Sequence, residues 1–316
     1  MSRRILLTGA SGFIGQALAA HLIAQGHQVS AIGRRPPAAR ALRFFPGELN
    51  NTPQLAQALE GVECVVHLAG RAHQLRNVEP NPLEGFRSAN RDLSLLLANE
   101  AVKAGVRRFV FLSSIGVNGA SSGKEPFVEA SLPAPHSDYA LSKFEAEQAL
   151  WADLSRSEME LTVVRPPLVY AESAPGNFAR LLRLVASGVP LPFARIDDKR
   201  SMIALDNLVT LIETCAIHPA AANELFLAAD GEDLSIGEII NLLALGMGRK
   251  ARLWPVSSSI LAAGASLLGR RSLYMQLCAS LQVDASKSRR LLGWHPSTSA
   301  HDALFLAGKK YSDNNR

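Results

Sequence analysis

Short apolar runs alternate along this chain with longer segments whose apolar residues recur at helical spacing. Residues 5–8 form a run of the first kind. Ile14, Leu18 and Leu22 then follow at four-residue intervals. Residues 28–32, 42–45, 64–69, 108–112 and 161–164 read as further strands, and 54–59, 88–104 and 138–154 as helices between them. Within 138–154 the pattern predicts a buried seam of Ala140, Phe144, Trp151 and Leu154. The strand runs are continuously apolar instead of alternating with polar residues. Such strands are covered on both faces, as in a parallel sheet with helices on either side.

After Pro167 the alternation gives way to loops rich in Pro and Gly, such as Ala174-Pro175-Gly176. The organisation expected is a sheet domain over 1–166, rejoined by 206–228, with a smaller lobe built from 167–205 and 229–316. The most apolar late stretch, 256–268, is too short to span a bilayer and reads as a helix of that lobe, with a peripheral membrane surface as the other reading.

The composition narrows the class. The chain has 316 residues, of which 47% are apolar, enough for a large core. A formal net charge of +5, carried by scattered basic residues, does not suggest nucleic-acid binding and fits an anionic small-molecule substrate. Cys64, Cys215 and Cys278 are too few and too far apart for a disulfide framework or a zinc site, and no metal is expected. Nothing at the start reads as a signal peptide, so a cytoplasmic location is expected.

The first strand runs into Thr8-Gly9-Ala10-Ser11-Gly12-Phe13-Ile14-Gly15. Gly9, Gly12 and Gly15 suit a tight turn whose backbone approaches a pyrophosphate, with the following helix offering its N-terminal N–H groups. Ser11, Phe13 and Ile14 belong to the same cofactor loop. Glycines that merely turn the chain are the bland alternative. The second strand ends in Gly33-Arg34-Arg35, where an acid would bind the ribose hydroxyls of NAD. Two guanidinium groups suit a 2′-phosphate instead, so NADP(H) is favoured, with NAD(H) possible. Glu48 and Leu49 are placed for the adenine. Leu68, Ala69 and Gly70 could pass beneath the cofactor or simply end a strand.

Tyr139 and Lys143 stand four residues apart, on one face of a helix. A lysine there can hold the phenol below its ordinary pKa of about 10. Ser114 lies upstream, at the end of the strand 108–112. His73 could touch a substrate or be a plain loop residue.

Together these elements resemble the extended short-chain dehydrogenase/reductases of the UDP-glucose 4-epimerase-like group. The match includes the glycine loop, His67-Leu68-Ala69-Gly70, Ser113-Ser114, Tyr139 with Lys143, Arg165-Pro166-Pro167, Arg200-Ser201 and Leu292-Gly293-Trp294. The resemblance implies an α/β fold, a Rossmann-type doubly wound parallel sheet with a smaller mixed C-terminal substrate lobe. It implies Ser114, Tyr139 and Lys143 as the catalytic set and Asn90 and Pro166 beside the cofactor. It implies Asn177 and Arg200 on the diphosphate of a UDP-sugar, and a homodimer. Asn118, counted with the substrate contacts, replaces a tyrosine usual in epimerases. An Arg-Pro-Gly-Asp element expected around 270–281 is missing.

The reading favoured by Arg34 and Arg35 is an NADPH-dependent 4-reductase of a UDP-4-keto-6-deoxy-HexNAc. It would yield UDP-N-acetylquinovosamine or UDP-N-acetylfucosamine for surface polysaccharide (O-antigen, lipopolysaccharide) synthesis. The alternative is a UDP-sugar 4-epimerase that retains NAD. A non-enzymatic dinucleotide sensor is a third class.

Overall fold

The computed structural model describes residues 2–72, 81–267, 269, 274, 275 and 278–315. Its centre is a seven-stranded sheet of β1 (Arg4–Thr8), β2 (Gln28–Gly33), β3 (Arg43–Pro46), β4 (Cys64–His67), β5 (Arg108–Leu112), β6 (Glu160–Arg165) and an edge strand Glu224–Leu227. Every pairing in it is parallel, in the order Glu224–Leu227, β6, β5, β4, β1, β2, β3. The expected strand 64–69 is shorter than predicted: Leu68 and Ala69 leave the sheet after His67.

Alternate strand residues feed two separate cores. Ile5, Leu7, Val66 and Val110 face the layer formed by α1 (Phe13–Ala24) and α7 (Leu205–Ile217). Leu6, Val65, Phe109 and Phe111 face the layer of α2 (Thr52–Leu59), α4 (Leu93–Lys103) and α5 (Asp138–Leu154). Period-two alternation of wholly apolar strands requires this doubly covered arrangement.

The expected seam of α5 is only partly right. Ala140 and Leu154 are buried, while Phe144 and Trp151 are half-buried. The inward stripe is Ala140, Lys143, Glu147, Leu150 and Leu154, at the three- and four-residue spacing of one helix face. Two charged residues occupy it, so hydrophobicity alone misplaced the face.

The lobe packs α6 (Asn177–Ala186), α8 (Ile236–Gly246) and the helix Ala300–Asp313 around Phe178, Leu182, Ile240 and Leu304. Its small sheets pair β7 (Leu168–Tyr170) with Met202–Ala204, and β8 (Lys199–Arg200) with Leu234–Ser235. Asp230 knots these pieces together. It accepts from Tyr170 Oη at 2.8 Å, Ala204 N at 3.0 Å and Asn207 Nδ2 at 2.7 Å. Burial nevertheless holds its carboxyl above the usual range.

Candidate functional site

The loop after β1 closes on the end of β4 at distances that exclude a side chain. Gly9 has φ +70°. A Cβ there would lie 2.7 Å from Ala69 N, and one on Gly15 would lie 2.2 Å from Gly9 O. α1 starts at Phe13, with Gly12 before it giving no side-chain cap and with no acid in its first turn. Backbone N–H groups at that end are suited to an anion, so these residues fit the diphosphate of a dinucleotide. Ser11, Phe13 and Ile14 are half-buried beside them. Arg34 and Arg35 are exposed just past β2 and make no hydrogen bond or ion pair among the described residues. Glu48 is exposed, and Leu49 is buried in the α2 side of the core.

Under this loop runs a buried polar chain. Ala69 N donates to Thr8 Oγ1 at 3.2 Å, and Thr8 Oγ1 lies 2.6 Å from His67 Nδ1. His67 Nε2 lies 2.8 Å from Ser94 Oγ, which donates to Asn90 O at 2.7 Å. Because the Ser94 proton is committed to Asn90, Nε2 must carry the imidazole proton, and Nδ1 accepts from Thr8. Burial, reinforced by the Lys143 charge, pushes His67 down to about 3, so the ring is neutral.

Asn90 sits in one π turn, Ser88–Asp92, between α3 (Pro82–Arg87) and α4. The sequence predicted an unbroken helix over 88–104. The wider turn interrupts that register where Asn90 is wholly buried. Its Oδ1 accepts from Arg71 N at 2.7 Å, and its Nδ2 donates to Ser142 Oγ at 2.9 Å. Ser142 Oγ donates in turn to Tyr139 O at 2.8 Å.

The Ser137 side chain caps α5 by accepting from Ala140 N at 3.2 Å. Tyr139 thereby falls in the first turn and Lys143 one turn later. Lys143 is buried, and its Nζ donates to Leu112 O at 2.9 Å. A Cβ on Gly70 would lie 2.9 Å from Asn90 Oδ1 and 3.3 Å from Lys143 Nζ, so these three residues meet at one point. Ser114 Oγ accepts from Gly116 N at 3.1 Å and lies near enough to the Tyr139 phenol to favour its ionised form slightly. The Phe86 ring meets Tyr139 edge-on at 6.3 Å between centroids.

The electrostatics differ from the sequence expectation. Burial pushes the Tyr139 phenol up to about 12, against a smaller opposing effect of Ser114. Burial lowers Lys143 to about 8, with the Glu147 charge working the other way. The lysine spends its hydrogen bond on the Leu112 carbonyl. Desolvation, not the lysine, governs the phenol in this structure.

A further cluster escaped the sequence reading. Glu147 is paired with Arg165 in the interior and accepts from Ser113 Oγ. Arg165 Nη1 donates to Asn118 Oδ1 at 2.9 Å. Asn118 is thus packed into this ion-pair cluster, where its Nδ2 is buried without a partner among the described residues. The helical spacing of Lys143 and Glu147 was the available signal, since two charges in one buried stripe require partners. Pro166 is buried, and its carbonyl accepts from Ile115 N at 2.9 Å.

Asn177 and Arg200 belong to the lobe, on α6 and β8. Asn177 Oδ1 accepts from Arg180 at 3.4 Å. Arg200 donates to the Met275 and Ala279 carbonyls, and burial lowers its pKa. His73 lies outside the described residues. No helix among the described residues is long and apolar enough to cross a membrane.

Residues 5–237 match the model of the NAD dependent epimerase/dehydratase family. The chain is 37% identical over 321 residues to a UDP-glucose 4-epimerase of Vibrio cholerae, covering 100% of this chain and 98% of that one. It is 28% identical over 257 residues to the N-acetyl-alpha-D-glucosaminyl-diphospho-ditrans,octacis-undecaprenol 4-epimerase of Escherichia coli O157:H7, covering 79% of this chain and 74% of that one. The solved structure of MoeE5 in complex with UDP-glucose and NAD superposes with a TM-score of 0.78 at 24% identity, covering 99% of each chain.

Proposed function

This chain belongs to the NAD dependent epimerase/dehydratase family, and from that premise we propose that it is a UDP-sugar 4-epimerase working through a retained nicotinamide dinucleotide. It is an enzyme of the extended short-chain dehydrogenase/reductase type, acting on nucleotide sugars. The observation that carries the finer reading is the full-length similarity to a UDP-glucose 4-epimerase. The relative from Escherichia coli O157:H7 is also a 4-epimerase. The convergence of Ser114, Tyr139, Lys143, Asn90 and Gly70 at one end of β4 and β5 supplies the matching chemistry.

In this reading Gly9, Gly12, Gly15 and the start of α1 bind the diphosphate of the dinucleotide. Arg34, Arg35, Glu48 and Leu49 flank its adenosine half, and Leu68, Ala69, Gly70, Asn90 and Pro166 lie along the rest. A nicotinamide dinucleotide held there would supply the reversible acceptance of a hydride. Tyr139 takes the proton of the C4 hydroxyl and gives it back, and Ser114 Oγ holds the same oxygen. Removing a proton from a phenol held at about 12 costs about 7 kcal/mol at neutral pH. Lys143, charged below about 8, is the cation available to offset that cost. Asn177 and Arg200 grip the diphosphate of the sugar nucleotide.

The sequence favoured a 4-reductase, and one observation keeps it as the second reading. Arg34 and Arg35 are exposed just past β2, where the sequence carries no carboxylate, and two guanidinium groups suit a 2′-phosphate. NADPH suits an enzyme that exchanges its cofactor every turnover.

One experiment separates the two. The purified protein is denatured and the released dinucleotide identified, and native protein is then incubated with UDP-glucose or UDP-N-acetylglucosamine and followed by NMR. An epimerase releases bound dinucleotide and interconverts the C4 epimers without added cofactor. Stoichiometric NADPH consumption on a UDP-4-keto-6-deoxy sugar, with no interconversion, overturns the epimerase reading.

A further inference from the structure

α9 (Ser258–Leu267) stands apart from the other helices among the described residues because none of its residues is buried. The sequence read 256–268 as a helix of the lobe, with a peripheral membrane surface as the other reading, and in the fold Ile260 is 66% exposed and Leu267 89%. Trp254, in the segment leading into the helix, is 62% exposed. The contacts of α9 with the lobe are slight. Leu261 is partly buried against its core, and Tyr274 Oη donates to Ser258 O at 3.3 Å.

The charge around this helix is one-sided. From Ile239 to Val283 the chain carries Arg249, Lys250, Arg252, Arg270 and Arg271 and neither Asp nor Glu. Arg249, Lys250 and Arg252 are exposed. Arg249 also donates to the Ala186 carbonyl. From outside the stretch, Asp198 comes close enough for its charge to act on Tyr274 and Cys278.

We propose that α9 and the basic segment 249–254 dock this enzyme onto an anionic phospholipid surface. α9 has ten residues and no charge, too short to span a bilayer and suited to lying along one. Its apolar side chains enter the boundary between headgroups and acyl chains. Trp254 takes the depth where an indole is favoured. Arg249, Lys250 and Arg252 meet the headgroup phosphates, and each adds to the attraction of a negatively charged surface. A second copy of the chain is a poorer occupant. A two-fold contact would set this patch against itself and bring its exposed cations together. The inference is independent of which C4 reaction the site performs.

The test is co-sedimentation of the full chain with vesicles of equal parts phosphatidylglycerol and phosphatidylcholine, compared with phosphatidylcholine alone. The wild type sediments with the anionic vesicles and is released by salt of about 0.5 M. The double variant Ile260→Asp, Leu267→Asp, and separately Lys250→Glu with Arg252→Glu, bind the anionic vesicles at least about tenfold more weakly. Leu132→Asp, at an 88% exposed leucine remote in sequence from the patch, sediments like wild type. Thermal unfolding monitored by circular dichroism confirms that each variant is folded. The proposal fails if wild type stays in the supernatant with anionic vesicles, or if Leu132→Asp weakens binding equally. It also fails if Ile260→Asp, Leu267→Asp dissociates a dimer and leaves sedimentation unchanged, which would assign the face to a second copy.

Discussion

Glu147 and Arg165 form an ion pair in the interior, with Arg165 Nε 3.0 Å from Oε1 and 3.2 Å from Oε2. The pair joins α5 to the end of β6, one helical turn beyond Lys143. Ser113 and Asn118 attach to it from the segment that carries Ser114. It therefore supports the mouth of the site from below.

Breaking this pair should be costly. Glu147→Ala leaves the Arg165 charge buried and is expected to destabilise the protein by about 3–5 kcal/mol, read from urea unfolding. Glu147→Leu combined with Arg165→Met should recover most of that loss, because no unpaired charge remains. A double variant as unstable as Glu147→Ala would show that the Ser113 and Asn118 hydrogen bonds matter more than the charges.

Tyr139→Phe removes the hydroxyl and keeps the ring that packs against Phe86. Turnover should fall by about 10²–10⁴-fold, the range of general acid–base catalysis. Dinucleotide binding, measured by calorimetry or by the amount retained through purification, should change little. Undiminished turnover would remove Tyr139 from the chemistry.

His67 makes stability depend on pH. Its folded pKa of about 3 lies below its unfolded value of about 6.5, so the unfolded chain binds the extra proton between those limits. Its contribution is fully present above about pH 6.5 and is lost as pH falls toward 3, about 5 kcal/mol across the window. Urea unfolding between pH 4 and 7 should show this slope, and His67→Gln should flatten it. In NMR titrations the His67 ring should remain neutral at pH 5, where an exposed histidine is protonated.

Gly70→Ala probes the point where Asn90 and Lys143 meet. The added Cβ would stand 2.9 Å from Asn90 Oδ1, so the amide or the strand end must shift. Turnover should drop by about tenfold or more, since small misplacements at a reacting centre cost this much. The melting temperature should fall by only a few degrees, about 1 kcal/mol of strain in a chain of this size. Equal turnover in the variant and wild type would show that the contact has no bearing on catalysis.

Much of this protein could be read without coordinates. Continuous apolar strands between amphipathic helices require a doubly covered parallel sheet. The glycine loop at 8–15, the pair Tyr139–Lys143 and the upstream Ser114 are local patterns whose spacing survives in the primary structure. What sequence could not show arises from contacts between distant segments. Burial of Tyr139 and Lys143 sums over many neighbours, and it raised the phenol where the pair alone suggested lowering it. The line from Thr8 through His67 and Ser94 to Asn90 needs three elements brought together and a π turn, which leaves no periodic trace. Lys143 and Glu147 look like a solvated helix pair until the sheet covers them and Arg165 arrives from β6. α9 is the reverse case, since apolar composition predicts burial only when a neighbour exists to cover it. Local pattern determined which elements form and which chemistry they carry. Tertiary packing decided which charges are buried, which way their proton equilibria move, and which apolar face was left exposed.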